Sequence, residues 1–401
     1  MEYKRPLYYK LHSRLCEPRM FIQVIAGPRQ TGKTTIALTI QKGLGGLIEY
    51  FSADDTKEYS VTWVDQIWES LRLRMKLEQK KEAILVIDEI QKITDWSAAV
   101  KKNWDRDSRE NTTIKLVILG SSRLLLMDGL SESLLGRYEL NYAGHWGLAE
   151  MEEAFGYNID EFIWFGGYPG AANLKNDENR FKEYITNSII EPTMIRDILL
   201  TTKIDKPALL RQLFEVGVEH STQIVSYNKM LGQLQDAGNT TTLAKYLRLL
   251  EQAGLLSGLN KYSGRRNTSK GTIPKFQVHN TAILSAQKRK SFKDVYSDPV
   301  EWGYMVENSV GAYLFEQVRN NTNTSLFYWR DNGDEIDYVL LFKDQVIGFE
   351  VKSGNANIPE KAIKKFKKRF PDSKLILVGK YGIPYEIFMK TTLNDIIESC
   401  R

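Results

Sequence analysis

Gly27-Pro28-Arg29-Gln30-Thr31-Gly32-Lys33-Thr34 is the stretch from which the rest of the chain can be read. It follows the apolar run Phe21-Ile22-Gln23-Val24-Ile25-Ala26 and precedes Thr35-Ile36-Ala37-Leu38-Thr39-Ile40, which reads as a helix. A strand, a glycine-bounded loop and Gly-Lys-Thr opening a helix are the ordered parts of a phosphate-binding loop. The glycines let backbone N–H groups wrap a polyphosphate, and the helix N-terminus adds partial positive charge. Gly27, Pro28, Arg29, Gln30, Thr31, Gly32, Lys33, Thr34 and Thr35 are therefore the expected nucleotide contacts. Lys33 is expected at the β- and γ-phosphates and the Thr34 hydroxyl on Mg²⁺.

A second run, Ala83-Ile84-Leu85-Val86-Ile87-Asp88-Glu89, ends in two carboxylates about 55 residues beyond Lys33. A continuous apolar run suits a central parallel strand buried on both faces. Asp88 at its end is expected to order Mg²⁺ through water, and Glu89 to orient or deprotonate an attacking water. The run Lys115-Leu116-Val117-Ile118-Leu119-Gly120 is expected between these two strands, as in ATPases with an inserted strand. Ser121 or Ser122 then fits a γ-phosphate sensor, or alternatively a helix N-cap. Arg137, with Arg123 second, is the candidate arginine for the γ-phosphate, in cis or from a neighbouring subunit; a plain surface arginine is the alternative. No guanine-reading Asn-Lys-x-Asp motif occurs, which favours ATP over GTP.

The 401 residues suffice for two to four domains. A hydrophobic fraction of 42% and a charged fraction of 26% are ordinary for a globular protein. No run of about 18 apolar residues marks a membrane span, and the N-terminus lacks a secretory h-region. Cys16 and Cys400 form no metal or redox motif, so a cytoplasmic protein is expected. Residues 1 to 20, basic and aromatic, are expected to form a helix packed on the sheet edge. The net charge of +5 is mild, so its distribution matters more than its total.

From about residue 150 the pattern becomes helical, interrupted by the turn Phe165-Gly166-Gly167-Tyr168-Pro169-Gly170. Residues 207 to 260 alternate a helix, a short helix, the turn Asp236-Ala237-Gly238-Asn239 and a longer helix. That longer helix has Leu243, Leu247 and Leu250 on one face and Thr241, Lys245 and Arg248 elsewhere, which suits a helix-turn-helix. Leu255 to Lys261 and Lys275 to His279 would form a wing. Between Gln252 and Lys293 there is no acidic residue, while Lys261, Arg265, Arg266, Lys270, Lys275, Lys288, Arg289, Lys290 and Lys293 all occur. A DNA backbone is the partner such a basic segment (261–293) fits, with Tyr262 and Phe276 either stacking or lying in the core.

Near the C-terminus, Glu335 to Phe342 and Val346 to Lys352 read as a hairpin turning at Lys343-Asp344. Strict alternation puts Ile336, Tyr338, Leu340, Ile347, Phe349 and Val351 on one face. It gathers Glu335, Asp337, Glu350 and Lys352, with Asp337 opposite Glu350. An Asp followed by Glu-x-Lys on the next strand is the PD-(D/E)xK arrangement of restriction-endonuclease-like domains. In that reading Asp337 and Glu350 hold Mg²⁺ or Mn²⁺, Lys352 assists the attacking water, and Glu307 adds a fourth group. Cross-strand ion pairs are the alternative. The neighbouring basic helix Lys361 to Arg369 suits a nucleic-acid backbone or a solvated face.

Together these residues resemble a family of bacterial and archaeal predicted AAA+-superfamily ATPases that join a P-loop domain to a C-terminal domain of unknown function. The matching elements are Gly27 to Thr35, Leu85 to Lys92, Leu119 to Ser122, Leu135 to Arg137, Gly166 to Pro169, Arg196-Asp197 and Phe349 to Gly354. His279-Asn280, where the family often has Asp, and His145 to Leu148 depart from its pattern. The resemblance implies a winged helix and a nuclease-like fold in the C-terminal half. The expectation is an α/β protein with a P-loop NTPase parallel sheet at 1–150, a helical lid or connector at 151–206, a winged-helix module at 207–280 and a nuclease-like α/β domain at 281–401. The functions this suggests are an ATP-driven switch acting on a DNA-binding domain, an ATP-gated nuclease, or an ATP-regulated protein-interaction module; an oligomer fits each of them.

Overall fold

The central strands of the first sheet are short apolar runs, and alternate residues of each run face opposite helical layers. In the computed structural model, which describes residues 3–56, 60–120, 126, 130, 133–200, 202–232, 234, 239–264, 273–321, 323–354 and 358–399, the chain divides into two compact units, Met1–Gly144 and His145–Arg401. In the first unit, strands β1 (Ile22–Ala26), β2 (Leu47–Ser52), β3 (Glu82–Asp88), β4 (Thr113–Gly120) and β5 (Tyr138–Tyr142) lie in the order β2-β3-β4-β1-β5. All of their pairings are parallel. The inserted strand expected from the sequence is β4, seated between β1 and β3.

Helices α1 (Pro6–Cys16) and α2 (Lys33–Leu44) cover one face, where Leu11, Ile36 and Ile40 meet Ile25, Val86 and Leu119. Helices α3 (Val61–Leu77) and α4 (Trp96–Arg109) cover the other, where Val64, Trp68 and Val100 meet Val24, Leu85 and Ile87. The N-terminal helix thus packs on a sheet face, beside α2, rather than only along an edge. A buried ion pair joins α3 to α4: the Arg72 Nε donates to Asp107 Oδ1 at 2.8 Å, and Trp68 Nε1 donates to Asp107 Oδ2 at 2.8 Å. The Asp107 side chain is 0% exposed, so its charge exists in the fold only because these donors face it.

In the second unit the helices Leu148–Phe155 and Ile159–Phe165 come first, and the latter ends at Gly166 with φ of 65°. A Cβ at Gly166 would lie 2.0 Å from Asn280 Oδ1, which accepts from the backbone N–H groups of Gly167 and Ala282. The expected Gly166-Gly167 turn is therefore a close approach of backbone to a buried amide. Further on, the chain runs through a helix, Glu178–Tyr184, into π-helical turns over Ile185–Ile190 and Thr193–Leu199.

Strands β6 (Leu256–Lys261), β7 (Lys275–Val278), β8 (Thr324–Asp331), β9 (Asp334–Phe342), β10 (Gln345–Lys352) and β11 (Lys374–Gly379) form one sheet, ordered β11-β10-β9-β8-β6-β7. The hairpin expected as a wing, β6 and β7, is thus joined to the C-terminal sheet, with Asn260 and Lys261 parallel to Phe327 and Tyr328. A long helix, Pro299–Arg319, precedes the antiparallel run β8-β9-β10; the helix Glu360–Arg369 then leads to β11, parallel to β10. The β9–β10 turn falls at Lys343-Asp344 as expected, with Lys343 at φ of 54°. Strict alternation along β9 is corrected by a bulge. Between the pairs Phe327↔Val339 and Trp329↔Ile336, one residue of β8 faces both Asp337 and Tyr338. Ile336 consequently packs with Val339, Leu341, Ala362 and Phe366, away from the face it was expected to share with Tyr338.

Among the described residues no helix is long and apolar enough to cross a membrane. Replacing Asp107 by Ala is expected to destabilise the first unit by about 3 kcal/mol, because the buried Arg72 guanidinium loses its buried carboxylate and keeps only the exposed one of Glu69. A lowered urea midpoint checks this, and an unchanged midpoint would contradict it.

Candidate functional site

The loop at 27–32 owes its curvature to two left-handed residues, Gln30 at φ 58° and Gly32 at φ 85°, the latter immediately before α2. Its base is pinned. Thr31 Oγ1 donates to Pro28 O and Ala143 O, and Arg5 Nη1 donates to Thr31 O at 2.9 Å and Gly144 O at 3.2 Å. Gly27 passes so close to Ala143 that a Cβ there would lie 2.1 Å from its carbonyl oxygen. Lys33 is buried and donates to Gly27 O at 3.0 Å and Pro28 O at 2.6 Å, which holds the ammonium inside the concavity. Thr35 follows on the exposed side of the first turn.

Thr34 and Asp88 meet above β4. The Thr34 hydroxyl donates to Asp88 Oδ2 at 2.8 Å, Tyr50 OH donates to the same oxygen at 2.8 Å, and the Glu89 N–H donates to Oδ1 at 2.8 Å. Burial, then the bond to Asp88, raises the Tyr50 phenol, so it stays a donor. Octahedral Mg²⁺ with oxygens at about 2.0–2.1 Å has neighbouring ligands about 2.9 Å apart, so the Thr34–Asp88 pair fits that ion. Glu89 sits at φ 52° and its Oε2 accepts from Gln91 Nε2 at 2.5 Å. Gln91 Oε1 is buried without a partner among the described residues, close to Gly120. Arg5, Tyr50 and Gln91 escape a sequence reading; only Gln91 leaves a trace, by its place two residues after Glu89.

Ser121, Ser122 and Arg123 lie outside the described residues. Arg137 does not join the loop. Its carbonyl accepts from the Ile22 N–H at the start of β1, while the loop follows the end of that strand, about 17 Å away at about 3.3 Å per residue. Its guanidinium instead pairs with Asp105, Nε to Oδ1 at 3.0 Å. The cis role of Arg137 is therefore corrected: it sits at the opposite end of the sheet from its own phosphate loop.

In the second unit a pocket of about 630 Å³ brings together Glu307, Glu335, Asp337, Glu350 and Lys352. Lys352 Nζ lies 2.7 Å from Glu350 Oε1 and 4.0 Å from Asp337 Oδ2, which also accepts from the Val351 N–H. Burial, then the nearby Asp337, raises the Glu350 carboxyl to about 8; burial raises Glu307 to about 7. Lys275, 1% exposed, reaches in from β7 to Glu307 and Glu335. Burial by itself would lower this ammonium, but Glu307, Asp337, Tyr338 and Glu335 outweigh it and hold it charged. The expected metal ligands Asp337 and Glu350 thus share a pocket, yet lysine ammoniums are the cations facing them. No three His, Cys, Asp or Glu side chains converge to hold a metal among the described residues, so the donors do not fit Mg²⁺ or Mn²⁺ in this arrangement.

The basic segment is not one continuous phosphate-facing strip. Lys275 is buried, Lys288 and Lys290 pair with Glu301, and Arg265, Arg266 and Lys270 lie outside the described residues. Tyr262 and Phe276 are core residues at 4% and 0% exposure. Lys245 and Arg248 do lie exposed on the helix Thr240–Gln252, opposite buried Leu243, Leu247 and Leu250.

His279 is buried against Phe315, with Nε2 2.5 Å from Ser257 Oγ. Burial, then Arg319 and His145, lowers it well below the ordinary histidine value. It is neutral in the fold and takes up a proton on unfolding below about pH 6.5, so its contribution is full above that pH and is lost as pH falls. His279 by itself costs stability from about pH 6.5 downward, while Glu350 and Glu307, raised by burial, contribute in the opposite sense, so the parent is expected to lose stability relative to His279→Gln as pH falls. Thermal melts across pH 5 to 8 check this; equal slopes would contradict it.

The parallel sheet and the loop geometry make the first unit a P-loop domain. A protein-family model described as an AAA domain matches residues 20–149. Models described as domains of unknown function, DUF8612 and DUF4143, match residues 157–294 and 302–392. No curated protein matches the chain. Among solved structures the chain is similar to the Thermotoga maritima RuvB Holliday junction branch migration motor, at 17% identity over 68% of this chain and 92% of that one, with a TM-score of 0.36. A variant of that RuvB gives 18% identity over 67% and 88%, with a TM-score of 0.35.

Proposed function

We propose that this protein is an ATP-hydrolysing switch of the AAA type whose nucleotide state controls nucleic-acid binding by the second unit. The observation that carries the first part is the Thr34–Asp88 hydrogen bond, made beside a loop that already holds Lys33. Lys33 exchanges neutral carbonyl oxygens for the β- and γ-phosphates, whose full charge attracts an ammonium more strongly. Thr34 and Asp88 would hold magnesium, which would neutralise phosphate charge. Glu89, steadied by Gln91, orients water toward the γ-phosphate and accepts its proton.

The nucleic-acid part rests on exposed cations: Lys245 and Arg248 on one helix, and on another Lys361 and Lys364, which pair with Asp334 and Glu360 but keep side chains 83% and 79% exposed. An ATP-gated nuclease is a second reading, favoured by the order of one helix, three antiparallel strands, one helix and one strand around Asp337, Glu350 and Lys352. Its requirement for a divalent metal is what the lysine-filled pocket opposes. A protein-interaction module with an inactive nuclease fold remains the outcome if nucleic acid does not bind.

Phosphate release is the test, measured with and without duplex DNA at low and high salt. The parent protein is expected to turn over ATP and to be stimulated by DNA at low salt only. Lys33→Ala is expected to lose turnover, and Glu89→Gln to lose it by about 10²–10⁴-fold while still binding ATP. Equal rates in all three proteins would overturn the ATPase. Stimulation absent at every salt concentration would overturn the nucleic-acid coupling.

A further inference from the structure

Behind the acids that line the pocket of the second unit lies a buried lysine, Lys275, that the reading of this pocket as a nuclease site does not use. Lys275 Nζ lies 3.0 Å from Glu307 Oε1, 3.1 Å from Glu335 Oε1 and 3.2 Å from the Asp337 carbonyl oxygen, with Asp337 Oδ1 at 3.7 Å. An ammonium has three N–H donors, and three oxygens at bonding distance satisfy all of them. Those oxygens come from the helix Pro299–Arg319 and from β9, while the lysine comes from β7. Carboxylates brought to one point from separate elements are what a hard divalent cation requires. Here an ammonium stands at that point.

The lysine is fixed from behind as well. Its backbone pairs with Leu259 of β6 on one side and with Ile224 on the other, so the ammonium cannot withdraw with its strand while both pairings last. The Tyr338 ring lies 5.0 Å from Nζ and closes another side. Beside the cluster, Glu350 Oε2 is buried and has no hydrogen-bond partner among the described residues. Divalent metal entering the pocket would meet a cation already bonded to three oxygens, and the two positive charges would repel at short range.

We infer that Lys275 is a built-in counter-ion that occupies the cation position among Glu307, Glu335 and Asp337, closing this pocket to divalent metal. Removing its ammonium uncovers a latent site for a hard divalent ion such as Mn²⁺ or Mg²⁺. This assignment is independent of the ATPase in the first unit.

Mn²⁺ binding to the nucleotide-free full chain, followed by electron paramagnetic resonance, tests it. Asp337→Asn separates the pocket from any cation at the phosphate loop. In the parent, Asp337→Asn is expected to leave Mn²⁺ binding unchanged. Lys275→Met is expected to gain a site at least tenfold tighter than any in the parent, and Lys275→Met/Asp337→Asn to lose it. Because Lys275→Met leaves like charges facing one another and can fail to fold, Lys275→Gln, which removes the charge but keeps amide N–H donors toward the carboxylates, is measured alongside, and each variant that folds is expected to gain the site. A parent protein whose Mn²⁺ binding depends on Asp337, or folded Lys275 variants that gain nothing, would overturn the inference.

Discussion

The hydrogen bond from Thr34 to Asp88 is the constraint on which the first unit depends, because it ties the start of α2, which follows β1, to the end of β3, a strand that is not β1's neighbour. β4 separates β1 from β3, and only a helix start rising over the end of β4 brings a threonine to the aspartate. That requires the loop to turn back through two left-handed residues and to be pinned at its base by Thr31 and Arg5. It also requires both sheet faces to be covered, since strands apolar on both sides cannot face water. The layers, the loop and the metal-fitting oxygen pair therefore have one geometric cause.

Two buried lysines show how partners decide what a charge can do. Lys33 donates to carbonyl oxygens, which are dipoles, and an incoming triphosphate outcompetes them. Lys275 faces carboxylates, whose full charges hold it in place. The same side chain is a ligand-binding group in one unit and a structural counter-ion in the other. Their difference follows from the acceptors around each ammonium, since burial alone disfavours both.

The phosphate loop and the acidic strand end are legible in the sequence because their chemistry is local: a few consecutive residues specify the turn, the cation and the carboxylates. The β9–β10 turn is legible for the same reason. What is misread depends on contacts distant in sequence. Arg137 lies soon after the expected sensor segment but at the far end of the sheet, since a parallel strand returns the chain to its starting edge. Lys275 counts as one of nine basic residues until its burial among acids is known. A single bulge at Asp337 and Tyr338 moves Ile336 to the other face, and periodicity cannot announce such a bulge. The expected wing has the right strands, yet β6 pairs with β8, which no local pattern records.

Calorimetric titration of nucleotide-free protein with a non-hydrolysable ATP analogue, with and without Mg²⁺, in the parent and in Thr34→Val, addresses the central claim most directly. Uptake at one site per chain, tightened by Mg²⁺ in the parent and indifferent to it in Thr34→Val, is the predicted result. No uptake, or an identical Mg²⁺ effect in both proteins, would contradict it.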